Sequence, residues 1–312
     1  MLTVATWNVE NLFLPGGDSG PANVEVYTRK LEYLAATIDG AGADVICLQE
    51  LGGSEPVTDL VAAMDDALPQ LALGVPDERG IRVGVLSRYP IAEAYDWLEF
   101  PDGGLPDVKD PDGNILTAMG RGAVEVVLDL GEIVAGAKLR VVTAHLKSRI
   151  LSFPNDRFFP LDEDERARGA GFALIRRAAE AVAVRVELNR WMPREPDVPV
   201  VLAGDMNDEP GAVTTSLLSG PEDGNPNRPD LGDPYRLYNL ADRLPADRSF
   251  SRIYRNRREL IDHILISRPL LLAGAAADSL VDDLIGIDEN VDSRRDAVVP
   301  DHAMLYARVN WP

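Results

Sequence analysis

"VPVVLAGDMND", residues 198–208, decides how this chain is read. Val198 to Ala203 form an apolar, β-branched run, as expected of a strand buried on both faces. The run ends in Asp205 and Asn207, where a simple cap or turn former would be the ordinary reading. Comparable apolar runs recur at 2–7, 44–49, 82–87, 122–130, 139–145, 260–267 and 303–309. Helical spacing lies between some of them. "VYTRKLEYLAATI" (26–38) places Leu31, Leu34, Ala35 and Ile38 on one face, and "PVTDLVAAMDDAL" (56–68) starts with Pro56 at the first helical position. The longest helical pattern covers about 163–192. Loops rich in Gly, Pro and Asp fill 15–24, 101–120 and 220–235. The neighbouring runs 82–87 with 91–99, and 122–130 with 139–145, read as hairpins, so mixed sheets are expected. The expectation is one α/β domain spanning 1–312, with two packed sheets and helices outside.

Composition narrows the class. A length of 312 residues with 46% hydrophobic content supports a substantial core. "MLTVATWN" reads as a strand, so no signal peptide is expected, and no apolar stretch is long enough for a membrane span. The single cysteine, Cys47, reads as a small buried hydrophobe, and a cytoplasmic location is expected. The net charge of −20 argues against a broad basic face for nucleic acid. Any anionic ligand must then be held by a local basic patch or by metal ions.

Polar groups gather where apolar runs end. "LTVATWNVEN" (2–11) ends in Asn8 and Glu10, "DVICLQE" (44–50) in Gln49 and Glu50, and "LRVVTAHLKS" (139–148) in His145 and Lys147. "ELIDHILIS" (259–267) carries Asp262 and His263, and "VVPDHAMLYARV" (298–309) opens with Asp301 and His302. There is no Cys/His cluster for zinc, no glycine-rich phosphate loop and no G-x-S-x-G elbow. Carboxylates and Asn amides are hard oxygen ligands suited to Mg²⁺ or Mn²⁺, and an Asp beside an Asn can orient an attacking water. The set spells metal-assisted hydrolysis of a phosphate ester.

The ordered series "TWNVEN", "CLQE", "GVLSRYPI", "AHLKS", "AGDMNDEP", "IDHILIS" and "PDHAML" resembles the endonuclease/exonuclease/phosphatase superfamily, of the deoxyribonuclease I-like kind, along nearly the whole chain. The resemblance implies a four-layer α/β sandwich of two mixed sheets flanked by helices, with the site on one edge between the sheets. It implies a metal shell of Glu50 with Asn8, Glu10 and Asp301. It also implies that Asp205 activates water with Asn207 as partner, that Asp262 pairs with the essential His302, and that His145 contacts phosphate. Arg121 is similar in position to a phosphate-contacting arginine. Alternation along the strand turns His263 away from the site if Asp262 faces it.

The substrate reading rests on local charge. Arg243, Arg248, Arg252, Arg255, Arg257 and Arg258 lie within 243–258, opposed there only by Asp247, and Tyr254 among them is placed to stack on a base. Lys147, with Arg149, Arg166 and Arg168, extends this basic rim. A Mg²⁺- or Mn²⁺-dependent phosphodiesterase acting on nucleic acid is expected, with Lys147, Tyr254 and Arg255 as substrate contacts and no obligate protein partner. A phosphomonoesterase or a sphingomyelinase-like lipid phosphodiesterase is the alternative on the same site. A non-catalytic binding protein on this scaffold is the alternative from another class.

Overall fold

A computed structural model describes the chain except residues 18, 104, 156, 223–224, 285–286 and 288–290, and only the backbone of 291–293. In chain order the strands are β1 (Leu2–Leu12), β2 (Val45–Leu51), β3 (Gln70–Leu73), β4 (Arg82–Ser87), β5 (Ile91–Glu99), β6 (Val108–Lys109), β7 (Ile115–Leu116) and β8 (Ala118–Asp129). They continue with β9 (Lys138–His145), β10 (Val200–Asp205), β11 (Leu237–Asn239), β12 (Arg252–Tyr254), β13 (Arg257–Glu259), β14 (Asp262–Ser267), β15 (Ala275–Ser279) and β16 (Leu305–Val309). One sheet has the order β15-β16-β1-β2-β4-β3, the other β11-β14-β10-β9-β8-β5. Each holds one parallel pair at its centre, β1 with β2 and β9 with β10, while the other pairings are antiparallel.

Alternation of side chains builds the layers. Val4, Val45, Val126, Val141, Val201, Ile264 and Ala307 point inward and fill the core between the sheets. The opposite faces are also apolar. Ala5, Trp7, Ile46 and Leu48 pack with α1 (Val24–Ala41) and α2 (Ser54–Ala63). Val142, Ala144, Leu202 and Leu265 share a cluster with Ala181, Val184 and Leu188 of α3 (Glu163–Trp191). Helix, sheet, sheet and helix therefore stack as a four-layer sandwich. Caps define the helices: the Asn23 side chain accepts from Val26 N–H, Gly42 closes α1 at φ 64°, and the Asp162 side chain accepts from Glu165 N–H. Among the described residues no helix is long and apolar enough to cross a membrane.

Two expectations change. The runs 82–87 and 91–99 are not a hairpin: β4 pairs with β2 and β3, whereas β5 pairs with β8 in the other sheet. The short 88–90 link crosses between sheets, and proximity in sequence cannot distinguish that from a tight turn. Pro56 is the third residue of α2, which starts at Ser54, still within the first turn where its missing N–H costs nothing. The hairpin of β8 and β9 forms as expected. Gly204 has a close-packing role, because a Cβ there would lie 2.0 Å from the Ala144 carbonyl oxygen of the parallel neighbour.

Candidate active site

The inward positions at one end of the sandwich are polar. Asn8 continues the inward series of Val4 in β1, and His145 that of Val141 in β9. Asp205 continues Val201 and Ala203 in β10, and Asp262 precedes Ile264 in β14. Asp205 is in register with both His145 and Asp262. The parallel strands end, and their antiparallel neighbours begin, on this same edge, so four buried polar side chains meet in the gap between the sheets. One step below, the Gln49 amide donates to Thr6 Oγ1 (3.2 Å) and to Thr143 Oγ1 (3.1 Å), joining the two sheets beneath the site.

Glu50 needs a break in the alternation to arrive here. By parity it belongs with Ile46 and Leu48 on the helix-facing side. Its φ of 62° and the register shifts around it re-aim the side chain, and the Asn8 amide donates to Glu50 Oε1 at 3.1 Å. The same amide donates to Asp205 Oδ2 at 3.1 Å, so Asn8 bridges one carboxylate from each sheet. Left-handed backbone at a non-glycine residue costs about 1–3 kcal/mol and is retained where its surroundings enforce it.

Glu10, also at positive φ, has its carboxylate engaged by protein groups. Arg294 Nε and Nη2 donate to its two oxygens at 2.6 and 2.5 Å, and the Asp301 backbone N–H donates to Oε2 at 3.0 Å. Lys30, almost fully buried, donates to the Glu10 carbonyl. Trp7 Nε1 donates to the His302 carbonyl at 2.8 Å. β1 thus grips the segment that carries Asp301 and His302.

The histidines are in opposite electrostatic settings. His302 Nδ1 lies 2.7 Å from Asp262 Oδ2 and its Nε2 4.0 Å from Asp301 Oδ1. Burial opposes its charged form, yet Asp262 and Asp301 outweigh that and raise its pKa to about 10. His145 is held well below its ordinary value by burial, then by Arg121 and the other cations nearby, and stays neutral. Its Nε2 lies 3.3 Å from Asp205 Oδ2. Burial and the neighbouring Asp262 push Asp205 up to about 7. Asn207 fixes that carboxylate by donating its N–H to Asp205 Oδ1 at 2.9 Å, while its own amide donates to the Leu146 carbonyl at 3.0 Å. His263 faces the other way, its Nε2 2.8 Å from the Asp208 carbonyl oxygen and its Nδ1 3.2 Å from Asn239 Nδ2.

The cations divide into two groups. Arg121 reaches the Leu146 carbonyl (3.4 Å) and Asp77 (3.8 Å), which places it beside His145. Lys147 Nζ donates to the Ile150 carbonyl at 2.7 Å, and burial lowers its pKa to about 8. The expected arginine arm does not act as one unit. Arg243 donates to the Ala275 carbonyl, and Arg248 pairs with Asp278 and Asp282, so both serve the fold. Arg149 pairs with Asp208 and Glu259, and Arg166 with Glu163, which removes them from a free basic rim. Acids distant in sequence neutralise these cations, so local charge counting overestimated the patch. Arg252 pairs with Asp301 at 2.9 Å and its backbone bridges to His302. Beyond it Tyr254, Arg255, Asn256, Arg257 and Arg258 form the exposed tip of the β12–β13 hairpin.

Several contributors carried no sequence signal of their own. Arg294 lies far from the acid it meets, and Asp77 sits in a plain turn. Glu180 of α3, almost fully buried, accepts from the backbone N–H of both Gly120 and Lys147 and so ties down the loop after His145.

The donor set fits a hard divalent cation. Asp205, Asp262 and His302 offer ligand-type atoms within 4.8 Å of one another. Buried Asp262 Oδ1 has no hydrogen-bond partner. Among the described residues no hydrogen bond reaches Glu50 Oε2. A protonated His302 is a poor ligand, since imidazole binds metal through a neutral nitrogen. The oxygen atoms around Glu50 and Asn8 are the better fit.

Comparison with known proteins identifies the family and the fold. Residues 5–284 match the model of the Endonuclease/Exonuclease/phosphatase family. No curated protein matches the sequence. Similar solved structures include TDP2 from C. elegans, at 14% identity and TM-score 0.58, covering 99% of this chain and 74% of that one. The mannosyl-6-phosphatase of Bacteroides thetaiotaomicron VPI-5482 superposes at 14% identity and TM-score 0.58, with both chains fully covered. Sphingomyelinase C from Streptomyces griseocarneus superposes at 18% identity and TM-score 0.57, with 99% of each chain covered. The chain belongs to the Endonuclease/Exonuclease/phosphatase family, a family of phosphoesterases.

Proposed function

We propose that this family member is a Mg²⁺- or Mn²⁺-dependent phosphodiester hydrolase acting on nucleic acid, with residues 1–312 working as one catalytic domain. The observation that carries the polymer reading is the β12–β13 hairpin. Its base is bridged to His302 and paired to Asp301, and its exposed tip presents Tyr254 with Arg255, Arg257 and Arg258. In a chain of net charge −20 this is a local cationic and aromatic surface suited to a phosphate backbone and its bases.

Glu50 and Asn8 would hold the cation, with Asp301 close by, and when bound it would supply charge neutralisation at a phosphoryl oxygen. As a carboxylate, Asp205 accepts a proton from the attacking water, and Asn207 keeps its orientation fixed. Protonated His302, steadied by Asp262, opposes the negative charge that builds on the phosphoryl oxygens. Neutral His145, with Arg121 alongside, contacts the same phosphate from the other sheet. Lys147 takes part by fixing the turn after His145.

The test is a panel of single- and double-stranded DNA, RNA, bis-p-nitrophenyl phosphate and p-nitrophenyl phosphate with each metal. Cleavage of a nucleic acid that is lost in His302→Ala is expected. A preference for the monoester, or rates unaffected by His302→Ala, would overturn the reading. One observation favours a lipid phosphodiester instead: Ile150, Phe158, Phe159 and Leu161 are exposed on the loop that follows His145. Sphingomyelin vesicles in the same panel separate the two.

A further inference from the structure

A cleft of about 1090 Å³ opens beside Glu10, and the mechanism above leaves it unused. Phe13 and Leu14, which follow β1, line it together with Pro56, Arg79 and Ile81. Arg294 and Arg295 close one side; Arg294 is bound to Glu10 and Arg295 to the Gly17 and Gly20 carbonyls. Phe13 is half-buried, with its ring against two glycines: a Cβ at Gly52 would come within 2.7 Å of it, and one at Gly80 within 3.7 Å. Gly52 follows Glu50 by two residues and Gly80 adjoins Arg79, so the ring packs on the backbone next to both residues. Arg79 bonds to Asp77 through Nε and Nη2, but Asp77 also lies 3.8 Å from Arg121, so one carboxylate serves two guanidiniums, and the Arg79 side chain is 61% exposed. Through Asp77 it adjoins Arg121, which reaches the carbonyl of Leu146 next to His145, so the Arg79 end of the cleft borders the His145 side of the edge.

We infer that this cleft is the subsite for the nucleotide on one side of the cleaved phosphate. Its base lies against Phe13 and Leu14, and its next phosphate is met by Arg79. The inference rests on the nucleic-acid reading and gives it a location: the hairpin reaches Asp301 through Arg252, the Asp301 N–H meets Glu10, and Glu10 lines the cleft, so the two surfaces adjoin at this contact as one track for a polyanion bearing flat apolar groups. Arg79 is the residue expected to separate a nucleotide from a neutral nucleoside.

Calorimetric titration of the full chain with thymidine 5′-monophosphate in EDTA tests this without turnover. The nucleotide is expected to bind about tenfold more tightly than inorganic phosphate or thymidine, a difference of about one cation or stacking contact. Arg79→Gln and Leu14→Glu are each expected to weaken it about tenfold at unchanged melting temperature. Equal affinity for inorganic phosphate or mannose 6-phosphate would overturn the proposal. So would nucleotide affinity unmoved by both variants, or no nucleotide binding at all. Selective nucleotide binding without cleavage of any polymer would support the subsite and remove the nuclease reading. DNA cleavage with variant-insensitive nucleotide binding would do the reverse.

Discussion

His302 Nδ1 sits 2.7 Å from Asp262 Oδ2, although forty residues separate them and His302 has an aspartate next to it in sequence. Both side chains are buried. Removing one member leaves the other without its partner in low dielectric, which typically costs about 3–5 kcal/mol. His302→Ala is therefore expected to lower the melting temperature as well as to cut kcat about 10²–10⁴-fold. Asp262→Asn, which keeps the shape, is expected to lose activity with a smaller loss of stability. Thermal melts alongside kinetics check both; full activity in either variant would remove the pair from the mechanism.

The same pair sets a pH dependence. An unfolded histidine titrates near 6.5, whereas His302 in the fold titrates near 10. The folded state binds this proton more tightly, so its contribution to stability is fully present below about 6.5 and disappears as pH rises through about 10. Melts from pH 6 to 10.5 are expected to show that decline, and His302→Ala to flatten it. In kcat/KM, Asp205 has to lose its proton, so the acid limb is expected at or below its metal-free value of about 7, because a bound cation favours the carboxylate.

Glu10 and Arg294 make a prediction about division of labour. With its oxygens taken by Arg294 and the Asp301 N–H, Glu10 positions the 294–302 segment. Glu10→Gln is expected to reduce kcat about tenfold or more through displacement of His302 while Mn²⁺ affinity changes less than twofold. Glu50→Gln is expected to weaken Mn²⁺ binding itself. Calorimetry decides between them: loss of metal binding in Glu10→Gln would make Glu10 a ligand.

The hairpin tip predicts salt behaviour. Replacing Arg255, Arg257 and Arg258 by Gln is expected to reduce the slope of log affinity against log salt by up to about 2 for single-stranded DNA, at about 0.7 per phosphate contact. An unchanged slope would place the polymer elsewhere.

Beneath the site, Gln49→Leu is expected to cost about 1–3 kcal/mol, since it strands two buried hydroxyls, Thr6 and Thr143, on opposite sheets. Chemical denaturation measures it.

The sequence alone carried the central architecture. Continuous apolar runs located β1, β2, β4, β8, β9, β10, β14 and β16, because both faces of these strands are buried, although β1 extends to Leu12, beyond the run 2–7. Short edge strands such as β3, β11 and β15 were not read, since three to five half-exposed residues carry little periodic signal. The residues that gather at the edge were also readable. Each sits where an apolar run stops, and parity along the strand tells Asp262 from His263. What only the tertiary structure decided is pairing. Whether β4 turns back on β5 or crosses to the other sheet, and whether Arg248 faces substrate or Asp278, depends on segments brought together by sheet packing. The same holds for Glu10. Its carboxylate reads in sequence as a metal ligand, and the fold pairs it with Arg294, 284 residues away. Local sequence fixes backbone periodicity and chemistry, but the charge a side chain meets is set by long-range contacts that no local pattern encodes.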